Sequence, residues 1–234
     1  MDENAWLESA DAAAMVSYVW NRIDARKQRL FACACVRSVW HNLRDERFRA
    51  LVEISEEYAD GRATGERLDR VAKALFEVTS RSTFSEVLAE SPLSAMVAAR
   101  GVGNRTASMC VAEALKYSQL SSAPGVRPGG AGTVLQFDPE AKATHARRVA
   151  DLFRDIVGNP FRPVSLHPDW LAWDDGIVRR LAETMYEGRR YQELPILADA
   201  LEEAGCDVPE VLEHLRGRGV HARGCWALDL ARGA

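Results

Sequence analysis

Apolar residues recur at three- and four-residue spacing through most of the chain, the period of a helix with one buried face. The pattern predicts helices over 11–20, 24–43, 45–59 and 64–79, then over 83–91 and 106–120. Asp24 is placed to cap the second, because a carboxylate there can accept free backbone N–H groups. Asp60-Gly61 stops the third, and Ser91-Pro92 stops the fifth. After a break, periodicity returns over 138–157, 174–187, 193–204, 208–215 and 224–231. Residues 161–168 are expected to be extended, held out of helix by Pro160, Pro163 and Pro168. Strand alternation is almost missing. Val164-Ser165-Leu166 is the best candidate, and it is too short to found a sheet. The expected fold class is therefore all-α, a multi-helix array of two helical parts.

Residues 121–133 interrupt the pattern with four glycines and two prolines and no periodic apolar face. The expected organisation is an N-terminal helical part over 1–120, a Gly/Pro-rich linker over 121–137 and a C-terminal helical part over 138–234. Phe161, between prolines, is expected to plug one helical part into the other.

Composition narrows the class. With 234 residues, 47% hydrophobic and 27% charged, the chain can bury a core without staples. A net charge of −4 argues against a protein that coats nucleic acid. The start, Met1-Asp2-Glu3-Asn4, lacks the basic and apolar stretches of a signal peptide, and no run suits a membrane helix, so a cytoplasmic location is expected. Five cysteines are an odd number and suit reduced thiols better than a disulfide framework.

The strongest candidate chemistry is Cys206, His214, His221 and Cys225. Two thiolates and two imidazoles suit a closed tetrahedral zinc site. The ligands are separated by seven, six and three residues, a spacing that matches no familiar zinc finger. The competing reading makes both cysteines small buried hydrophobes, with the histidines at the surface or making a single hydrogen bond. Cys33, Cys35 and His41 form a second group. On one helix Cys33 and Cys35 point about 200° apart, and Cys33 to His41 spans about 12 Å of rise. An intrahelical metal site or nucleophile pair is thereby excluded, with Cys35 expected in the core and Cys33 nearer the polar edge.

The same helix carries Arg26, Arg37 and Arg44 within about 20° of one another in projection. Residues 24–49 hold seven Lys/Arg against three Asp/Glu, so this region is +4 and the remainder, −4 minus +4, is −8. Such a stripe suits phosphates, nucleic acid or an acidic partner, though more often it is a solvated face paired with nearby carboxylates. Gly101-Val102-Gly103-Asn104 before a helix lacks the Gly-Lys-Ser/Thr ending of a P-loop. Asp174-Asp175 and Glu202-Glu203 read as caps and solvated faces, not as acid–base pairs.

Three stretches carry a family likeness: Arg29-Leu30-Phe31-Ala32-Cys33-Ala34-Cys35 through Trp40-His41, Gly158-Asn159-Pro160-Phe161-Arg162-Pro163-Val164, and Leu194-Pro195-Ile196-Leu197 through Cys206 and on to His221-Ala222-Arg223-Gly224-Cys225-Trp226. In these the chain resembles an uncharacterised planctomycete family found in many copies in Gemmata-like bacteria. The resemblance implies a helical fold and a bacterial cytoplasmic setting, and it transfers no catalytic residue. The expectation is a non-enzymatic interaction or scaffold protein whose partner is another protein, with no membrane. The alternatives are a zinc-containing module or small enzyme using the C-terminal Cys/His cluster, and nucleic-acid or phosphate binding through the basic helix face.

Overall fold

A computed structural model describes residues 1–38, 40–42, 46–79 and 139–234. The protein is all-α, with ten α-helices and no strand among the described residues. These are α1 (Glu3–Glu8), α2 (Ala12–Val19), α3 (Ala25–Arg37), α4 (Glu46–Ala59), α5 (Gly65–Thr79), α6 (Pro139–Val157), α7 (Pro168–Gly188), α8 (Leu194–Glu203), α9 (Pro209–Arg216) and α10 (Trp226–Arg232). None is long and apolar enough to cross a membrane. The helices expected over 83–91 and 106–120, the Gly101 turn, Arg44, Cys110 and the 121–137 linker lie outside the described residues.

Two compact units are present, one over residues 8–150 with Met1, the other over 2–7 and 151–234. The division falls inside α6, and the first helix belongs with the second unit.

In the first unit Asp11 and Asp24 cap α2 and α3, each carboxylate accepting a backbone N–H three residues on, at 3.0 and 2.7 Å. α3 ends at Arg37, six residues before the periodicity suggests. The Ser38 hydroxyl donates to the Cys35 carbonyl at 2.7 Å, a local bond that competes with helix continuation. α3 packs on α4, burying Leu30, Phe31 and Cys35 from one and Phe48, Leu51 and Val52 from the other. Cys33, placed nearer the polar edge by projection, is instead buried, 4.0 Å from the Val52 carbonyl. A face wide enough to bury both cysteines follows from a helix covered by neighbours on more than one side.

In the second unit α7 packs on α8 and α10, and α9 packs on α8 and α10. Their core holds Val178, Ala182, Met185 and Tyr186 from α7, Leu194, Leu197 and Leu201 from α8, Val211 and Leu215 from α9, and Leu228 and Ala231 from α10. α7 starts earlier than the sequence suggests. His167 accepts the Asp169 N–H at 3.3 Å, and Pro168 opens the first turn. The helix then breaks at Trp173–Gly176. Asp174, Asp175 and Gly176 all take left-handed backbone angles, with φ of 46, 53 and 76°. Asp174-Asp175 thus forms the break ahead of the restarted helix instead of its first turn.

The aromatic anchor is Trp6. It is 1% exposed and lies 5.7 Å from the Phe153 ring, and its carbonyl accepts the Arg154 Nε–H at 2.9 Å. Glu3 reaches Asn159 at 2.8 Å and Arg162 at 2.6 Å, tying α1 to the Asn-Pro-Phe-Arg-Pro turn. Phe161 itself is only half-buried. Trp6→Ala is expected to lower the stability of this unit by about 3–5 kcal/mol, and Phe161→Ala by only roughly 1 kcal/mol. Urea denaturation of the two variants checks the order.

His145, buried on the first unit's stretch of α6, has its pKa pushed down to about 4, first by burial and then by the Arg148 charge. The folded chain therefore holds it neutral, while the unfolded chain takes up a proton below about pH 6.5. Its stabilising effect is complete above about pH 6.5 and is lost as pH falls toward 4. His145→Gln should flatten the stability profile of wild type over that window, as read from denaturation midpoints.

Candidate metal centre

Four side chains of the second unit converge: Asp155 from α6, His214 from the last turn of α9, and His221 and Cys225 from the segment leading into α10. Their donor atoms lie within 4.8 Å of one another. The Asp155 Oδ1 is 2.8 Å from His221 Nδ1 and 3.1 Å from His214 Nε2. The Cys225 Sγ is 3.3 Å from His214 Nε2 and 4.0 Å from His221 Nδ1. A tetrahedral ion with the usual zinc bond lengths separates such donors by about 3.3–3.6 Å, a value these edges bracket.

Asp155 and Cys225 are held from behind by the backbone. The second oxygen of Asp155 accepts the Ala222 N–H at 2.8 Å, which fixes the carboxylate and the 217–225 segment to each other. Cys225 is the residue before α10, and its N–H donates to the Ala222 carbonyl at 3.0 Å. The turn between needs Gly224, whose φ of 91° is a conformation L side chains rarely adopt. His221 and Cys225 therefore meet through a turn, not on one helical face. Arg223 anchors the same turn, stacking 4.3 Å over Tyr186 and pairing with Glu187 at 3.0 Å. His214 lies against the Trp226 ring at 4.9 Å. Gly158 leaves room for that tryptophan, since a Cβ there would stand 3.2 Å from it.

Burial decides the electrostatics. Burial alone would raise the Asp155 pKa, but the hydrogen bonds and charges of His214 and His221 outweigh it and hold the carboxyl below its usual range. The Cys225 thiol is pushed well above its ordinary value, first by burial and then by the Asp155 charge. Without a cation the site keeps a carboxylate beside a protonated thiol. One buried atom is left over: His221 Nε2 has no partner, a loss of about 1–3 kcal/mol that ligation at Nδ1 must exceed.

The arrangement can hold a metal ion. It does not resemble a nucleophile relay. In a Cys-His-Asp triad one imidazole nitrogen faces the thiol and the other faces the acid. Here the same nitrogen of His214 faces both, and Cys225 has no exposure to a substrate.

Compared with known protein families, curated proteins and solved structures, the chain matches none.

Of the residues the sequence nominates, His214, His221 and Cys225 come together, and Cys206 does not join them. Cys206 is buried in the α7–α10 core, its N–H bonded to the Leu201 carbonyl at 2.9 Å. Asp155 takes the fourth place. Its signal was a lone acid flanked by Leu152, Phe153 and Ile156, at the edge of the apolar face of α6. On the basic stripe, Arg26 pairs with Asp60 at 2.9 Å, and Arg37 pairs with Glu56 through two bonds of 2.6 and 2.7 Å. Both charges are balanced by α4 and the turn after it, the carboxylate-paired reading of that face.

Asp155→Asn should lower the stability of the metal-free second unit by about 1.5–3 kcal/mol near neutral pH, the range for hydrogen bonds to a charged group. Because the folded pKa is depressed, the wild-type advantage is present above about pH 4 and disappears as pH falls through the lowered value. Denaturation midpoints of both chains across pH check the size and the sign.

Proposed function

We propose that the second unit is a zinc-stabilised helical module, with Asp155, His214, His221 and Cys225 as the ligands. The observation that carries this reading is the convergence of four donors from three parts of the chain on one point, with Asp155 and Cys225 buried. The donor types support zinc over magnesium or calcium, which take oxygen ligands in larger number. Charge supports it too. A carboxylate and a thiolate together balance a divalent ion, so the loaded site buries no net charge.

In this reading the metal is a staple. It joins α6, α9 and the turn before α10, elements separated by 59 residues between Asp155 and His214. With four protein ligands the site is closed, as structural zinc sites are. The task of the module is then to present a folded helical surface to a protein partner, and chemistry at the metal is not part of it.

The experiment is metal analysis of the untagged full chain after dialysis, with a thermal melt beside it. Zinc near one per chain is expected, together with stabilisation of about 2.7 kcal/mol when free zinc stands at about 100 times Kd. Cobalt in place of zinc should give a sulfur-to-metal charge-transfer band that Cys225→Ser abolishes and Cys206→Ser leaves intact. A chain that takes up no zinc and melts alike with and without it contradicts the reading.

A further inference from the structure

Four donors at one centre need not be equally held, and here they are not. Asp155 and His221 have side chains 2% and 7% exposed, and Cys225 is fully buried. His214 is 23% exposed. The backbone holds Asp155 and Cys225 more firmly than the two histidines. Asp155 sits within α6 with its second oxygen tied to the Ala222 N–H. Cys225 belongs to the core shared by α7–α10. His214 stands in the last turn of α9, next to the exposed residues Gly217, Arg218 and Gly219.

Charge separates Asp155 and Cys225 from the two imidazoles. Removing Asp155 or Cys225 from a divalent ion would strand net charge in a buried place, which is strongly unfavourable. Removing either histidine takes away a neutral imidazole and leaves that balance untouched, and of the two His214 has the more exposed side chain, 23% against 7%.

Resting on the zinc reading above, we propose that His214 is the exchangeable ligand of the centre. An incoming amine, imidazole or carboxylate donor replaces it while Asp155, His221 and Cys225 keep the ion. The bond from His214 Nε2 to the metal breaks, a lone pair of the incoming donor forms the new bond, the imidazole leaves neutral, and no electron moves. The centre can thereby give up or receive its metal through a chelating carrier without unfolding of the unit. A closed site with four equally buried ligands would have to open the fold first.

The test mixes the zinc-loaded full chain with excess chromophoric pyridylazo chelator and follows metal release. The wild-type rate should rise with chelator concentration and exceed the rate of unfolding measured in the same buffer. His214→Ala should still bind zinc and should release it more than about tenfold faster. A wild-type rate independent of chelator concentration and equal to the unfolding rate overturns the proposal, and needs no variant to do so. Zinc binding lost in His214→Ala but kept in His221→Ala overturns it as well. A wild-type chain that takes up no zinc removes the zinc reading itself, and is told apart at the loading step.

Discussion

A carboxylate buried within a helix has to be met by donors or by a cation, since an unpaired charge there costs several kcal/mol. Asp155 sets that condition for the second unit. Its two oxygens are answered by the Ala222 N–H and by both imidazoles, so the position of the 217–225 segment is dictated by a residue far upstream in the chain. Once Ala222 is placed, Gly224 turns the chain and Cys225 leads into α10. The thiol then arrives beside a carboxylate, where it stays protonated until a cation is present. The convergence of donors is thus built by hydrogen bonds that serve the fold first.

In the first unit an arginine answers a buried carboxylate. Glu56 is 2% exposed and is held by the Arg37 guanidinium in a two-bond pair, with that guanidinium stacked 4.2 Å over Trp40. Burial would lower the Arg37 pKa, and Glu56 more than offsets it. A stripe of arginines on α3 and acids on α4 and its following turn is what such a helix pair needs. The +4 region of the sequence is therefore neutralised in place at Arg26 and Arg37.

Helix periodicity made the fold class legible, because it depends on short-range spacing that one helix carries by itself. The boundaries were less so. Ser38 shortens α3 through a side-chain bond to Cys35, and three left-handed residues break α7, neither of which changes the apolar pattern. α1 is too short to show a period, yet Trp6 is among the most buried side chains. In the site, His214, His221 and Cys225 were visible by residue type. Asp155 was not, because its partners lie at least 59 residues away and a single acid on a helix carries no spacing. Cys206 looked equal to Cys225 in the sequence. Both thiols are buried in the α7–α10 core, but only Cys225 follows the turn that Asp155 fixes, beside the two imidazoles.

X-ray absorption at the zinc edge of the loaded full chain tests the central claim most directly, because it counts sulfur ligands. One sulfur with three nitrogen or oxygen donors is the result expected of Asp155, His214, His221 and Cys225. A shell with two sulfurs, which would bring Cys206 to the metal, or a shell with none, would contradict it.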